Sequence, residues 1–205
     1  MDFGWFAGLI GFAFAMAATP GPNNTMVTAS GATYGMARTL PLVSGIAIGV
    51  AAIMLIGAAF GASLVADPRI GVVLKWIGVV YLLWLAWKIA SAEPEPAEAD
   101  TTKSIGAVPL SFMQGVLFQF MNAKLWVIVS GAVVTYGRVS GETGHLSPAV
   151  LFALVFGTMS FVSTIAWAAL GASIGRLLAS RRAIRAFNVA MAALLVSSLI
   201  PIIVE

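Results

Sequence analysis

The sequence predicts an all-α integral membrane protein in which six transmembrane helices form two inverted three-helix repeats. Of its 205 residues, 60% are hydrophobic and only 9% are charged, whereas a soluble domain carries about 25% charged residues. A membrane-spanning helix needs about 20 mostly apolar residues, and the chain has room for roughly six of them. A polar segment near the middle leaves three predicted spans on either side.

The first predicted span is interrupted by the stretch Pro20-Gly21-Pro22-Asn23-Asn24. Its two prolines cannot donate backbone hydrogen bonds. A broken backbone at membrane depth is tolerated only where it is buried in protein or lines a watery cavity, so we expect the solute to be handled there. The spans are predicted over residues 5–29, 40–65, 70–90, 108–134, 147–175 and 186–204.

Glycines recur at four-residue spacing in the second span. That spacing places small residues on one helix face, where a neighbouring backbone can approach closely. Glycine is also frequent as apolar filler in membrane helices, which is the competing interpretation. The glycines that we expect at helix-packing contacts are Gly45, Gly49, Gly57 and Gly61.

An acidic, proline-containing segment between the third and fourth spans is predicted to be a solvated linker, because it has too few apolar residues to fold. The domains are therefore predicted as residues 1–90 for the first three-helix repeat, 91–107 for the linker and 108–205 for the second repeat.

The basic residues predict the orientation in the membrane, because Lys and Arg are enriched in cytoplasmic loops. Three basic residues fall on one side of the predicted topology and seven on the other. The linker is then cytoplasmic, and both termini are periplasmic. The seven are Arg38, Lys88, Lys103, Arg176, Arg181, Arg182 and Arg185.

The two halves resemble each other in the order of their features. Ala59-Phe60-Gly61-Ala62-Ser63 ends the second span, and Ala169-Leu170-Gly171-Ala172-Ser173 ends the fifth. Because each half has three spans, the two halves enter the membrane from opposite sides, as in many alternating-access transporters. In such transporters the solute site lies near the midplane, at discontinuous helices in corresponding positions of the two halves. Here the corresponding positions are residues 20–24 and 119–124.

The first of these positions suits a zwitterionic solute. If a helix restarts at Pro22, the backbone amides of Asn23, Asn24 and Thr25 are free at its N-terminus. Free amides and the positive end of the helix dipole attract a carboxylate, and asparagine side chains both donate and accept hydrogen bonds. The alternative is a plain proline kink, in which Asn23 and Asn24 only satisfy the broken backbone.

The second position contains Lys124, deep in the fourth span. A lysine inside the membrane is costly, which suggests a functional role. It could hold a solute carboxylate or carry protons. The alternative is that Lys124 snorkels to the surface or packs against carbonyls of a neighbouring helix. Gln119 and Asn122 are three residues apart and share a helix face, from which Lys124 is displaced.

Several other classes of site and partner are disfavoured. The absence of cysteine excludes disulfides and thiolate metal sites, and the single histidine lies in a loop. The chain has no basic patch interleaved with aromatic residues, so nucleic acid is not expected. No cofactor is predicted, and the spans lack the cluster of acid, base, nucleophile or metal ligands that a membrane enzyme would need.

Four groups of residues together are typical of one transporter family. They are Pro20-Gly21-Pro22 with Val27, the spaced glycines of the second span, Leu74-Lys75-Trp76-Ile77-Gly78 followed by Tyr81-Leu82, and Phe112, Gly115 and Asn122-Ala123-Lys124. With these motifs the chain resembles the LysE/RhtB family of amino-acid exporters over its whole length.

The resemblance implies a bacterial inner-membrane exporter of amino acids or close derivatives, driven by the proton gradient. Two departures from the family pattern concern the site. Asn23 stands where the family often has Asp, which removes a proton or cation partner. Asn122-Ala123-Lys124 stands where the family usually has Asn-Pro-Lys, so we expect the second helix break to be softer or absent.

We therefore predict a secondary transporter that exports amino-acid-like zwitterions, with a small-molecule substrate and the lipid bilayer as its partners. The amides after Pro22 and the side chain of Lys124 are predicted to hold the carboxylate, and the polar side chains to contact the amine. Export of another small solute or cation and a non-transporting membrane assembly protein are the alternatives. The composition fits a monomer and a homodimer equally. The predicted substrate-binding residues are Pro20, Gly21, Pro22, Asn23, Asn24, Gln119, Asn122 and Lys124.

Overall fold

A computed structural model of the chain describes residues 3–60, 68–92, 109–136, 146–178 and 180–197. These residues form seven helices and no strand, which confirms the all-α prediction. The helices are α1 (Phe3–Ala18), α2 (Pro22–Phe60), α3 (Pro68–Ala90), α4 (Phe112–Met121), α5 (Ala123–Tyr136), α6 (Leu146–Leu177) and α7 (Arg181–Ser197).

The helices have the length and the surface of a membrane protein. Within the described residues, α2 and α6 are long and apolar enough to cross a bilayer, and α4 with α5 adds a third such segment if the bent pair is one span. Large apolar side chains such as Trp87, Val127 and Leu154 are mostly exposed on the outer surface. A water-soluble monomer rarely exposes so much apolar surface, whereas lipid solvates it.

Helix α2 consists of two arms that meet at Gly35. Gly35 has φ 78° and ψ 171°, a left-handed backbone that glycine adopts without a Cβ clash. In a straight helix, residues 30 and 39 would be about 13 Å apart along the axis, yet the hydroxyls of Ser30 and Thr39 are 2.9 Å apart. The chain therefore folds back at Gly35, and residues 22–34 and 36–60 form separate first and second arms.

Helix α6 is the central element, because both arms of α2 and helix α1 pack against it. Near the start of α6, the rings of Phe12 and Phe156 are 6.1 Å apart. Further along, the hydroxyl of Ser163 donates to the Ala17 carbonyl, and the hydroxyl of Thr28 donates to the Trp167 carbonyl. Helix α1 and the first arm thus run alongside α6 as one interrupted helix.

The second arm approaches α4 and α5 through its glycines. A Cβ at Gly45 would overlap the backbone of Phe112, and one at Gly49 would lie 2.6 Å from Cγ of Gln119. A Cβ at Gly57 would overlap the side chain of Val129. Contacts this close require residues without a side chain, so the glycines set the distance between the arm and the two short helices.

The helix boundaries differ from the predicted ones in three places. A loop was predicted around Arg38, but the turn is the single residue Gly35 and Arg38 is helical. The predicted fourth span is divided into α4 and α5. Helix α7 begins at Arg181 rather than at residue 186, because the basic residues continue the helix instead of forming a loop. Gly61, residues 93–107 of the predicted linker and both chain ends lie outside the described residues.

Candidate functional site

The first helix break spans residues 19–21, between α1 and α2. Side chains, rather than backbone amides, reach the carbonyls at the end of α1. The buried side chain of Asn24 donates from Nδ2 to the carbonyls of Ala17 at 2.9 Å and Thr19 at 3.0 Å. Ser163 donates to the Ala17 carbonyl at 2.8 Å. In a continuous helix these two carbonyls would accept from the amides of Gly21 and Asn23, so the side-chain bonds satisfy carbonyls that the break deprives of their helical donors.

The restart of the helix at Pro22 leaves backbone amides open. Pro22 occupies the first helical position, where a missing N–H costs nothing. The amide of Thr25 was expected to be free, but it donates to the Gly21 carbonyl at 3.0 Å because the helical pattern has already resumed there. The amides of Asn23 and Asn24 find no acceptor in the part of the chain that the structure describes.

The second helix break is at Asn122, between α4 and α5. Asn122 is extended, with φ −81° and ψ 95°, and the axes of the two helices differ by 65°. The expectation of a softer or absent break is therefore wrong. Asn122 ends α4 without a proline, and its carbonyl accepts from the amide of Leu125 at 2.9 Å, which starts the next helix at once.

Amide side chains join the two breaks. Asn23 donates from Nδ2 to Oε1 of Gln119 at 3.0 Å, and Gln119 donates from Nε2 to Oδ1 of Asn23 at 2.9 Å. Asn122 donates to the same Oε1 at 3.3 Å. Gln119 is fully buried, so this reciprocal pair is a desolvated link between residues 96 positions apart.

A cavity of about 50 Å³ lies between the two breaks. A buried water needs about 10–15 Å³, so the cavity has room for a few water molecules or a small polar group. Pro20 and Gln119 do not line it, although Gln119 is bonded to a residue that does. The predicted residues that line it are Gly21, Pro22, Asn23, Asn24, Asn122 and Lys124.

The side chain of Lys124 reaches from α5 to the first break. Its Nζ donates to the Thr19 carbonyl at 3.0 Å, so it does contact a carbonyl beside a neighbouring helix, as the alternative interpretation held. A Cβ at Gly21 would lie 3.2 Å from Nζ and 3.4 Å from Cδ of Lys124. A side chain at position 21 would therefore crowd the ammonium of Lys124, which lies against the break.

Helix α6 contributes hydroxyl groups that the sequence interpretation did not assign to the site. Ser160 and Thr164 line the cavity, and Ser163 bonds to the end of α1. Hydroxyl residues at three- and four-residue spacing share a helix face, and that spacing within an apolar span was the available signal. No group of three or more potential metal-binding side chains occurs among the described residues.

Comparison with known proteins identifies relatives of this chain. The family model for the LysE type translocator matches residues 14–199. The cysteine/O-acetylserine efflux protein of Klebsiella pneumoniae is 35% identical over 190 residues, which cover 92% of each chain. The efflux proteins of the same name from Escherichia coli strain K12 and Shigella sonnei are 33% identical over 181 residues, or 88% of each chain. No solved structure matches the chain.

Proposed function

Because the chain belongs to the LysE type translocator family, and is thus a membrane transporter rather than an enzyme, we propose that it exports small amino acids or close derivatives across the bacterial inner membrane. The observation that carries this proposal is the convergence of two broken helices and Lys124 on one cavity. The names of the relatives, efflux proteins for cysteine and O-acetylserine, suggest the solutes to test first. Both are small zwitterions.

The carboxylate of the solute binds between Lys124 and the start of α2 in this proposal. A lysine ammonium has three donors, and one of them already bonds to the Thr19 carbonyl. The other two are available to the solute. The amides of Asn23 and Asn24 add donors at the positive end of the first arm, where an anion is favoured.

The amine of the solute binds on the opposite wall of the cavity. Asn122 uses its Nδ2 to donate to Gln119, which leaves its Oδ1 as an acceptor. The hydroxyl oxygens of Ser160 and Thr164 line the same cavity. Because the cavity volume is only about 50 Å³, we expect short side chains to be preferred over long ones.

The proposal includes the complete topology. We propose six spans in two inverted repeats, with a cytoplasmic linker and both termini in the periplasm. Two helix breaks that face each other across one cavity support this arrangement, since inverted repeats place their discontinuous helices at the solute site. The natural sequence has no cysteine, so single cysteines introduced at residues 2 and 97 can be labelled with a membrane-impermeant reagent. Labelling of residue 97 from the periplasm would contradict the topology.

Transport by the purified protein in liposomes tests the function. Vesicles loaded with labelled cysteine or O-acetylserine should exchange it with external solute, and Lys124→Ala should slow this exchange about 10- to 100-fold, because a lost charge-assisted hydrogen bond costs about 1.5–3 kcal/mol. Arg182→Ala, which removes an exposed cation from α7, is the matched control and should retain the wild-type rate.

The same experiment separates the two roles open to Lys124. If Lys124 binds the carboxylate, Lys124→Ala loses both exchange without a gradient and gradient-driven transport. If it only carries protons, exchange survives and gradient-driven transport is lost. A folded, inserted wild-type protein that moves no amino acid under either condition would refute the proposed function.

A further inference from the structure

A second cavity, of about 30 Å³, lies beside the turn at Gly35. The first arm of α2 connects the two cavities, since Asn24 lines the first and Thr33 lines the second. Nine residues of helix separate them, which corresponds to about 13 Å. The second cavity is therefore on the same helix as the candidate site, at the end where the chain turns back.

The second cavity has a polar wall of hydroxyl groups. Ser30, Thr33 and Tyr34 line it from the first arm. The hydroxyl of Ser30 bonds to that of Thr39 at 2.9 Å, and the hydroxyl of Thr33 accepts from Nδ2 of the fully buried Asn188 at 3.0 Å. Thr33 also donates to Oδ1 of Asn188 at 3.3 Å, and Thr39 donates to the Gly35 carbonyl at 2.9 Å, so Ser30 is the donor in its bond to Thr39. These bonds use the hydroxyl protons of Ser30 and Thr33 and hold the two oxygens in fixed positions as acceptors.

Lys88 supplies a positive charge to the same cavity from the end of α3. Its Nζ lies 5.4 Å from the centre of the Trp84 ring, and this cation–π contact limits the positions of a flexible side chain. A fixed ammonium matches the chemistry of a carboxylate, and hydroxyl oxygens whose protons are already used can still accept from an amine, so the cavity suits a zwitterion.

We propose that the second cavity is an entry site, where Lys88 binds the carboxylate of the solute, and hydroxyl oxygens of the first arm accept from its amine, before the solute reaches Lys124. This inference rests on the proposed export function and adds a second binding position to it. The cavity lies at the end of the protein that contains Arg38, Lys88 and the start of α7, which the distribution of basic residues places in the cytoplasm. Solute from the cytoplasm therefore meets Lys88 first.

The entry site predicts an effect that depends on the membrane face. In inside-out vesicles, where the cytoplasmic face is accessible, Lys88→Gln should raise the KM for cysteine about two- to fivefold, the range of a half-exposed charge contact. The maximal rate should stay within about twofold, because the site at Lys124 is unchanged. In right-side-out vesicles, where the periplasmic face is accessible, the KM for cysteine should not change.

Two further variants and an analogue separate binding from a structural role. Lys88→Arg should restore the low KM, because it returns the charge, and Arg182→Gln should have no effect, because that exposed residue does not line the cavity. Cysteine methyl ester lacks the carboxylate that both lysines are proposed to bind, so it should inhibit cysteine transport weakly. Its inhibition constant should be the same in the wild type and in Lys88→Gln, because the lost charge makes no contact with it.

The outcomes distinguish this inference from the proposed function. An equal change of KM on both faces, no change on either, or failure of Lys88→Arg to rescue would overturn the entry site while leaving the exporter intact. A wild-type protein that transports nothing would instead remove the function on which the inference rests.

Discussion

The two helix breaks face the same cavity but are built differently. The first covers residues 19–21, with Pro20 inside it and Pro22 directly after it, and the carbonyls of Ala17 and Thr19 there are satisfied by side chains from other elements. The second is the single residue Asn122, and the backbone resumes helical bonding with the amide of Leu125. The first break thus exposes backbone groups, whereas the second repairs its own backbone and contributes side chains.

This difference shows that two helix breaks at one cavity need not have the same chemistry. The first break offers amides and carbonyls, whose positions are set by the fold. The second offers the side chains of Gln119, Asn122 and Lys124, whose identities can vary without changing the backbone. We therefore expect mutations at the first break to act mainly on stability, and mutations at the second to act mainly on the solute.

The largest expected difference is between the same substitution at the two breaks. Asn24 and Asn122 are both 4% exposed, but Asn24→Leu removes the donor for two carbonyls, whereas Asn122→Leu removes one long hydrogen bond to Gln119. Each of the two carbonyls keeps one other donor, Ser163 or Lys124, so the loss is that of two hydrogen bonds at about 0.5–1.5 kcal/mol each. Asn24→Leu should therefore lower the free energy of unfolding by about 1–3 kcal/mol, and by more than Asn122→Leu does.

Thermal unfolding of the two variants in detergent measures that difference. Leucine has the same branched arrangement of side-chain heavy atoms as asparagine, and the two sites are equally buried, so packing changes should be similar in both variants. Equal losses of stability, or a greater loss for Asn122→Leu, would contradict the view that side chains hold the first break together.

A smaller effect is expected from the link between the breaks. Asn23 and Gln119 exchange two hydrogen bonds, so Asn23→Ala and Gln119→Ala should not be additive. A double-mutant cycle on the unfolding free energy should give a coupling of about 1–2 kcal/mol. The pair Asn23→Ala and Ser130→Ala, whose hydroxyl bonds only to the Trp126 carbonyl among the described contacts, is the control and should be additive. A coupling near zero for the first pair would mean that the two breaks are independent.

The smallest effect is expected when a proline is placed at the second break. Ala123→Pro puts proline at the first residue of α5, where it fits, and the extended backbone of Asn122 is the conformation that a residue before proline prefers. The unfolding free energy should change by less than about 1 kcal/mol. Ala132→Pro, in the interior of α5, should cost about 3 kcal/mol or more, and similar losses for both variants would show that the break is not at Asn122.

Much of the helix pattern follows from the sequence, but the exact positions of the turns do not. The apolar stretches, the break at Pro20-Gly21-Pro22 and the close approach of Gly45 can be predicted because proline and glycine act through local backbone chemistry. A turn between residues 29 and 40 was predicted as well, but its reduction to the single residue Gly35 was not. A lone glycine between helical residues also fits a continuous helix, so the position of the turn depends on how both arms pack against α6.

The sequence predicted several residues of the candidate site, but not the hydrogen bonds between them. Asn23, Asn24 and Lys124 were identified because polar groups are costly inside a membrane, and they do line one cavity. Their partners were not identified. That Asn23 pairs with Gln119, and that hydroxyls of α6 complete the wall, depends on how distant helices pack, which residue types alone do not fix.

The single-residue turn at Gly35 also restricts how this chain can change in length during evolution. Loops usually absorb insertions and deletions, but here helix continues on both sides of one residue. One extra residue between Gly35 and Gly45 would rotate the rest of the second arm by about 100°. The face that meets Phe112 and Gln119 would then present bulky side chains to α4, so we expect related sequences to keep the spacing between Gly35 and Gly45 even where the residues themselves diverge.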